Sequence, residues 1–275
     1  MSKRFDGKVA FITGAARGQG RAAAVAFANQ GADIIALDVC GEVAPDSPAS
    51  VPADFEETVA AVEAAGRRIV ARNGDVRNLA EIEAAIADGV GQLGRLDFVI
   101  ANAGIAGMGP SDELTEEQWD RMMAVNLSGA WRTCRAAIPH LREAGGGSIV
   151  FTASAAGLKG MPWVSHYSAA KHGVIGLMES LAAELGRKWI RVNAVCSTTV
   201  RTPLIEHEEH FKLFRPDLEH PTAADIEKAA SKLNLLPTPW VEAEDVANAI
   251  LWLCSEEARF ITGVALPVDA GFLVK

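Results

Sequence analysis

The chain of 275 residues has one tyrosine, four cysteines and no strongly basic stretch, and each scarcity removes a class of function. Cys40, Cys134, Cys196 and Cys254 are scattered with no C-x-x-C pair, which leaves no zinc or dithiol spacing and favours buried free thiols. No run approaches the roughly 18 apolar residues of a membrane-spanning helix. The apolar stretch "VAFI" behind the basic start is too short for a secretory signal, so a cytoplasmic location is expected. With a formal net charge of −9 and no basic cluster, neither nucleic acid nor an anionic membrane is an expected partner. A small neutral or weakly polar substrate suits that balance better than a polyanion. The absence of repeats and low-complexity tracts points to one domain over residues 1–275.

What the chain does have is alternation. Short apolar or β-branched runs are expected as strands at 9–13, 33–38, 68–76, 96–104, 148–154, 191–197 and 263–269, with a helical segment in nearly every gap. That is the pattern of an α/β fold, a seven-stranded parallel sheet covered by helices on both faces. "TEEQ" at 115–118 is a capping box opening a helix expected to reach about 143, with Asn126 as an awkward interior residue that marks a kink. Two segments break the rhythm. Residues 39–54 hold three prolines and read as an irregular insertion; residues 202–240, rich in Glu, His and Pro, read as a mobile cover over a site.

"TGAARGQG" at 13–20 links the first strand to a helix. Gly14, Gly18 and Gly20 let the backbone turn tightly, approach a pyrophosphate and pack helix on sheet, and the helix N-terminus attracts the negative charge. Arg17 and Gln19 belong to the same cofactor loop. Asp38, ending the next strand, can accept hydrogen bonds from adenosine ribose hydroxyls and repel a 2′-phosphate, which favours NAD over NADP. Arg17 points the other way, since it could grip that phosphate. Asp75 and Val76 lie where an adenine could rest, although turn and core roles suit them equally. Asn102, Ala103 and Gly104 leave room for cofactor at the carboxyl edge of the sheet.

The single tyrosine stands in "SHYSAAKHG" at 165–173, with Lys171 on the same helix face as Tyr167. An ammonium beside a phenol favours phenolate and lowers its pKa, making the tyrosine a candidate acid or base. On this pattern alone, a surface tyrosine and lysine remain the rival reading.

"TGAARGQG", "NAG" at 102–104, "VN" at 125–126, Ser154 and "YSAAK" stand in the order and spacing of the short-chain dehydrogenase/reductase family, which the whole chain resembles. The resemblance implies a Rossmann fold with strand order 3-2-1-4-5-6-7, NAD as cofactor and a homotetramer. It assigns Tyr167 as the acid/base at the alcohol oxygen, Lys171 to lower its pKa and hold the nicotinamide ribose, and Ser154 to hydrogen-bond the reacting oxygen. Asn126 would bind a relay water through its carbonyl. Val200 and Thr202 match positions that contact the carboxamide and the phosphates, although Ser197 and Thr198 replace the family's usual Pro-Gly. "GRRIVAR", "HYSAAKHGVIGLM", "LFRPDL" and "PWVEAEDVANAILWL" further resemble a carveol dehydrogenase-like, mycofactocin-associated branch of that family in actinobacteria. This implies a tightly held NAD covered by the insertion, with mycofactocin as electron acceptor.

The expected reaction interconverts a secondary alcohol, alicyclic or terpenoid-like, and its ketone. A reductase of ketoacyl or quinone substrates with exchanging cofactor, and a non-catalytic NAD-binding redox sensor, are the alternatives. "HEEH" at 207–210 lacks the spacing and third ligand of a zinc site and is expected as a solvated face of the cover; no metal is expected. His166 and His172 are expected as packing or surface residues. Met161, Trp163, Phe211, Leu213 and Phe214 are candidates for an apolar substrate wall, with core packing as the equal alternative.

Overall fold

The computed structural model describes residues 3–45, 47–215 and 217–275; for Glu209, Leu213 and Phe214 it describes the backbone only. The apolar runs form β1 (Val9–Thr13), β2 (Asp33–Asp38), β3 (Ile69–Asn73), β4 (Phe98–Ala101), β5 (Gly147–Thr152), β6 (Ile190–Ser197) and β7 (Ala265–Val268). They pair in parallel in the order β3-β2-β1-β4-β5-β6-β7, as expected. Every residue of β1 and β2 is buried, which is why these strands read as near-continuous apolar runs rather than alternating ones.

Helices α1 (Gly18–Asn29), α2 (Pro52–Ala64) and α9 (Ala243–Cys254) cover one face, with Phe27, Val62 and Ile250 in its core. Helices α3 (Leu79–Leu93), α5 (Ala130–Glu143) and α6 (Ser165–Leu185) cover the other, burying Ile86, Ala137 and Met178. The rings of Phe5, Phe27 and Phe98 meet at centroid distances of 5.0–5.5 Å. Truncating such a buried ring costs about 3–5 kcal/mol. Because the strand order reverses between β1 and β4, their carboxyl ends open a crevice, the place where such sheets bind ligands.

Several expected boundaries move, for local reasons. The fourth strand stops at Ala101, not 104, because the N–H groups of Asn102 and Ala103 turn to the Thr13 hydroxyl, both at 3.1 Å. The third stops at Asn73 and the seventh covers only 265–268. The irregular insertion ends at residue 51, since 52–54 already form the first turn of α2. Pro52 has no N–H to leave unpaired there, and Asp54 accepts the Val51 N–H at 2.9 Å.

The Thr115 capping box forms, Gln118 N–H to Thr115 Oγ1 at 3.2 Å and Thr115 N–H to Gln118 Oε1 at 3.0 Å. The helix it opens, α4 (Glu116–Met123), continues into α5 through a π-helical stretch, Ala124–Gly129. The irregularity expected at Asn126 takes that form. The cover at 202–240 contains α7 (Glu208–Phe214) and α8 (Ala223–Ser231). A two-residue ladder, Val200–Arg201 with Val241–Glu242, closes its base. Phe211 belongs to the cover's own small core with Ile226 and Trp240, not to a substrate wall; the side chains of Leu213 and Phe214 lie outside the described residues.

Candidate active site

The glycine turn lies at the carboxyl end of β1. Gly14 and Gly18 adopt φ of 66° and 55°, a region that suits glycine. At Gly20 a Cβ would stand 1.9 Å from the Gly14 carbonyl oxygen, so only glycine lets α1 start against this backbone. Asn102 fastens the turn from below, its amide donating to the carbonyls of Thr13 at 2.9 Å and Gly14 at 3.1 Å.

Residues 39–45 and 47–51 fold as a strap against this turn. Asp38 Oδ2 accepts the Ala16 N–H at 2.9 Å, and Oδ1 accepts the Ser50 hydroxyl at 2.6 Å and the Cys40 N–H at 3.1 Å. The Arg17 guanidinium donates to the Pro48 carbonyl. The arginine considered as a phosphate grip is thus engaged in fastening the strap. Asp75 receives Arg77 at 2.7 and 2.5 Å; burial opposes ionisation, but these hydrogen bonds hold its carboxyl below the ordinary range. Val76 packs so closely on Gly129 that a Cβ there would come within 2.7 Å of it.

Helix α6 presents Tyr167 and Lys171 to the same crevice. Lys171 is 4 % exposed, and its Nζ donates to the Thr152 carbonyl at 2.8 Å. That ammonium stands over the Tyr167 ring, 5.5 Å from its centroid. Burial pushes Lys171 down to about 8 and raises Tyr167, with only a hydrogen bond from Ser154 opposing the latter. The expectation that the lysine lowers the phenol pKa is therefore corrected for the protein groups themselves. Desolvation outweighs it, and the lysine is the group moved toward neutrality. Ser154, just beyond β5, accepts the Ala156 N–H at 3.1 Å. Asn126 is buried, donating to the carbonyls of Ile105 at 3.1 Å and Met122 at 3.3 Å. Its Oδ1 has no hydrogen-bond partner among the described residues and faces Gly104, where a Cβ would approach it to 2.7 Å.

A cavity of about 770 Å³ joins these groups. Every expected site residue lines it except Gly20, which stands behind Gly14. Away from the glycine turn the wall is mostly apolar, with Met108, Met161, Trp163, Ile205 and Phe272. His207 and His210 also line it, contrary to the solvated face expected for this segment. Among the described side chains of that segment, only Glu208 fits that expectation, paired with Lys212 at 2.6 Å and His220 at 3.2 Å. Burial, reinforced by the neighbouring His207, pushes His210 down to about 4. His166 is buried in α6, and His172 is exposed with Nδ1 2.8 Å from the Ser168 carbonyl, as expected.

The loop carrying Ser197 and Thr198 is tied to the base of the cover, Thr198 Oγ1 to Asn234 Oδ1 at 3.4 Å. Val200 and Thr202 line the cavity just beyond. Sequence reasoning missed Ser50, Pro48, Thr152 and Phe272. The prolines flagged the strap as irregular, but no pattern showed which of its atoms would return to Asp38 and Arg17. Phe272 carries no motif at all.

Residues 14–273 match the family model described as Enoyl-(Acyl carrier protein) reductase. A (-)-trans-carveol dehydrogenase of Rhodococcus erythropolis is 50 % identical over 276 residues, 99 % of each chain. The crystal structure of a carveol dehydrogenase from Mycobacterium avium in complex with NAD superposes with a TM-score of 0.97 at 49 % identity, covering 99 % of this chain and 100 % of that one. A short chain dehydrogenase from Mycobacterium paratuberculosis bound to NAD gives 0.90 at 42 % identity, again over 99 % and 100 %. The chain belongs to the short-chain dehydrogenase/reductase family and is an NAD-dependent enzyme of that family.

Proposed function

We propose that this enzyme transfers hydride between NAD and an apolar secondary alcohol or ketone, alicyclic or terpenoid-like in the manner of carveol. The observation that carries the reading is one cavity in which Tyr167, Lys171 and Ser154 meet the glycine turn at one end and a wall of Met161, Trp163 and Ile205 at the other. The residues fit NAD: Gly20 leaves the turn bare, and Asp38 offers a carboxylate that disfavours a 2′-phosphate. Gly14, Gly18 and Gln19 would hold the pyrophosphate, Asp75 and Val76 the adenine, and Val200 and Thr202 the nicotinamide end. Bound NAD supplies the hydride acceptor and, in its oxidised ring, a positive charge that favours the phenolate.

The chain's own residues handle the proton. Tyr167 takes it from the alcohol oxygen during oxidation and returns it during reduction. Ser154 donates to that oxygen as charge develops. Lys171, held by the Thr152 carbonyl, steadies the phenolate and exchanges the proton onward. Asn126 lies in a π-helical stretch whose widened turn frees backbone carbonyls, which suits it to hold the relay water. The apolar wall excludes bulk water and selects substrates by shape.

The same proposal includes a tightly held NAD, reoxidised by mycofactocin, in a cytoplasmic homotetramer. The contacts of Ser50 with Asp38 and of Pro48 with Arg17 support retention, because they fasten the strap beside the adenosine end of the cavity. Exposed Trp131 and Phe260 offer apolar surface for subunit contacts, which light scattering tests. No helix among the described residues is long and apolar enough to cross a membrane. The test of retention is a near-ultraviolet spectrum after adding carveol with no cofactor supplied. A reduced-nicotinamide band that stops at about one equivalent and stays with the protein through gel filtration supports it. A band appearing only with added NAD, followed by continuous turnover, refutes the resident-cofactor and mycofactocin reading while leaving the dehydrogenase in place.

A further inference from the structure

Four residues far apart in sequence form one continuous hydrogen-bonded path beneath the cavity. Lys171 Nζ donates to the Thr152 carbonyl at 2.8 Å, and the Thr152 hydroxyl donates to Asn102 Oδ1 at 3.1 Å. The other end of that amide donates to Thr13 and Gly14 carbonyls at 2.9 and 3.1 Å. Thr13 Oγ1 in turn accepts the Asn102 and Ala103 N–H groups, both at 3.1 Å. Thr152 is the only member whose main chain faces one functional group while its side chain faces the route to another. It is buried, so its hydroxyl has no bulk water to fall back on.

We propose that Thr152 is a positioning residue that couples the proton-relay lysine to the glycine turn. The carbonyl fixes the Lys171 ammonium, and the hydroxyl holds the Asn102 amide with its nitrogen toward the turn. The Thr13 and Gly14 carbonyls settle which way round that amide lies, because the reverse orientation would set its oxygen against theirs, and the Thr152 hydroxyl then donates to the Oδ1 left facing it. Without the hydroxyl, Oδ1 loses its donor and the amide is held only by its two bonds to the turn, which weakens the brace. The ordering gained when a dinucleotide occupies the glycine turn is then shared with Lys171, and by reciprocity a well-placed lysine end favours dinucleotide binding. The inference rests on Lys171 serving the proton relay proposed above.

The test compares Thr152→Val, which keeps the shape and removes the hydroxyl, with Thr152→Ser, which keeps the hydroxyl. NADH affinity is read by fluorescence titration of cofactor-stripped protein, and the single-turnover rate with carveol is followed across pH after NAD is restored. The valine variant is expected to bind NADH about tenfold more weakly, the scale of one unpaired buried hydrogen-bonding group, with a displaced pH midpoint. The serine variant is expected within about twofold of the parent. If both substitutions leave affinity and midpoint unchanged, or lower only the melting temperature, Thr152 is a packing residue and the coupling is refuted. Equal weakening in both also refutes it, since the hydroxyl would then not be the cause. Thr152→Ala replaces the valine variant if that protein does not fold. An unaltered protein that binds NADH yet oxidises no alcohol overturns the dehydrogenase reading instead, and NADH affinity alone then decides whether Thr152 braces the turn.

Discussion

Beneath the cavity, Thr13, Asn102, Thr152 and Lys171 are joined across β1, β4, β5 and α6 by hydrogen bonds of 2.8–3.1 Å. Above it, the described part of the cover over 202–240 packs a small cluster of Phe211, Ile226 and Trp240 and carries exposed ion pairs such as Glu208 with Lys212. Exposed pairs contribute little, typically under about 1 kcal/mol. The floor is an extension of the sheet's own bonding, so its geometry cannot drift without breaking the fold. The cover has its own small core and meets the rest of the fold through the Val200–Arg201 ladder and the Thr198–Asn234 contact. On the proposed reading the sheet side carries the reacting groups, while the apolar wall is shared between that side, through Met161 and Trp163, and the cover, through Ile205.

Breaking the floor at its reactive group gives the largest expected effect. Tyr167→Phe is expected to lower turnover by at least about 10²-fold while leaving NADH binding intact, measured by steady-state rates beside a fluorescence titration. Gly20→Ala pushes a Cβ into the Gly14 carbonyl. Overpacking of this kind costs about 1–3 kcal/mol, and it should appear as a lowered melting temperature together with weakened NADH binding.

The floor also carries a pH signature. Burial pushes Lys171 down to about 8 from its ordinary 10.5, so the relay lysine loses its proton across that lower value. Oxidation measured between pH 7 and 9 should rise by about an order of magnitude with a midpoint near 8. The neutral amine can accept the proton Tyr167 passes on, and this gain outweighs the lost charge beside a phenolate that the oxidised nicotinamide still favours. Lys171→Met should remove the midpoint. The linked stability change has a definite sign. Between about 8 and 10.5 the unfolded chain binds more protons at this site than the folded one, so its contribution to stability rises with pH in that window. Below 8 both forms are protonated and the cost of burying the ammonium is fully present.

At the junction of floor and strap, Asp38→Ala leaves the Ala16 and Cys40 N–H groups and the Ser50 hydroxyl without their acceptor. The preference for NAD over NADP is expected to fall by roughly tenfold or more, measured as the ratio of the two binding constants. The smallest effect belongs to the cover. Ile226→Val, trimming its core by one methyl, costs about 0.5–1.5 kcal/mol locally. It should raise KM for carveol a few-fold and leave NADH affinity unchanged; an equal loss of both would erase the division between the two halves.

The same division governs what was legible in the amino-acid sequence. Sheet order, glycine turn and the shared face of Tyr167 and Lys171 depend on local periodicity and on residues whose conformational demands are unusual, such as Gly14 and Gly20. The direction of the Tyr167 pKa was misjudged because spacing reports which groups are neighbours and not how deeply they are buried. Arg17 looked like an anion grip until Pro48 appeared beside it, a contact set by the path of an irregular strap that no period encodes. His207 and His210 looked solvated because their neighbours are glutamates. Their direction depends on how α7 docks over the cavity, which is decided by the packing of Phe211 against Ile226 and Trp240.

The central claim is that Tyr167 moves the proton while NAD takes the hydride from a secondary alcohol. The most direct measurement mixes cofactor-loaded protein with carveol and follows near-ultraviolet absorbance through one turnover, for the native chain and for Tyr167→Phe. The account predicts a reduced-nicotinamide band in the native chain and a rate at least about 10²-fold slower in the phenylalanine variant at equal NADH affinity. Equal rates in the two proteins would contradict it.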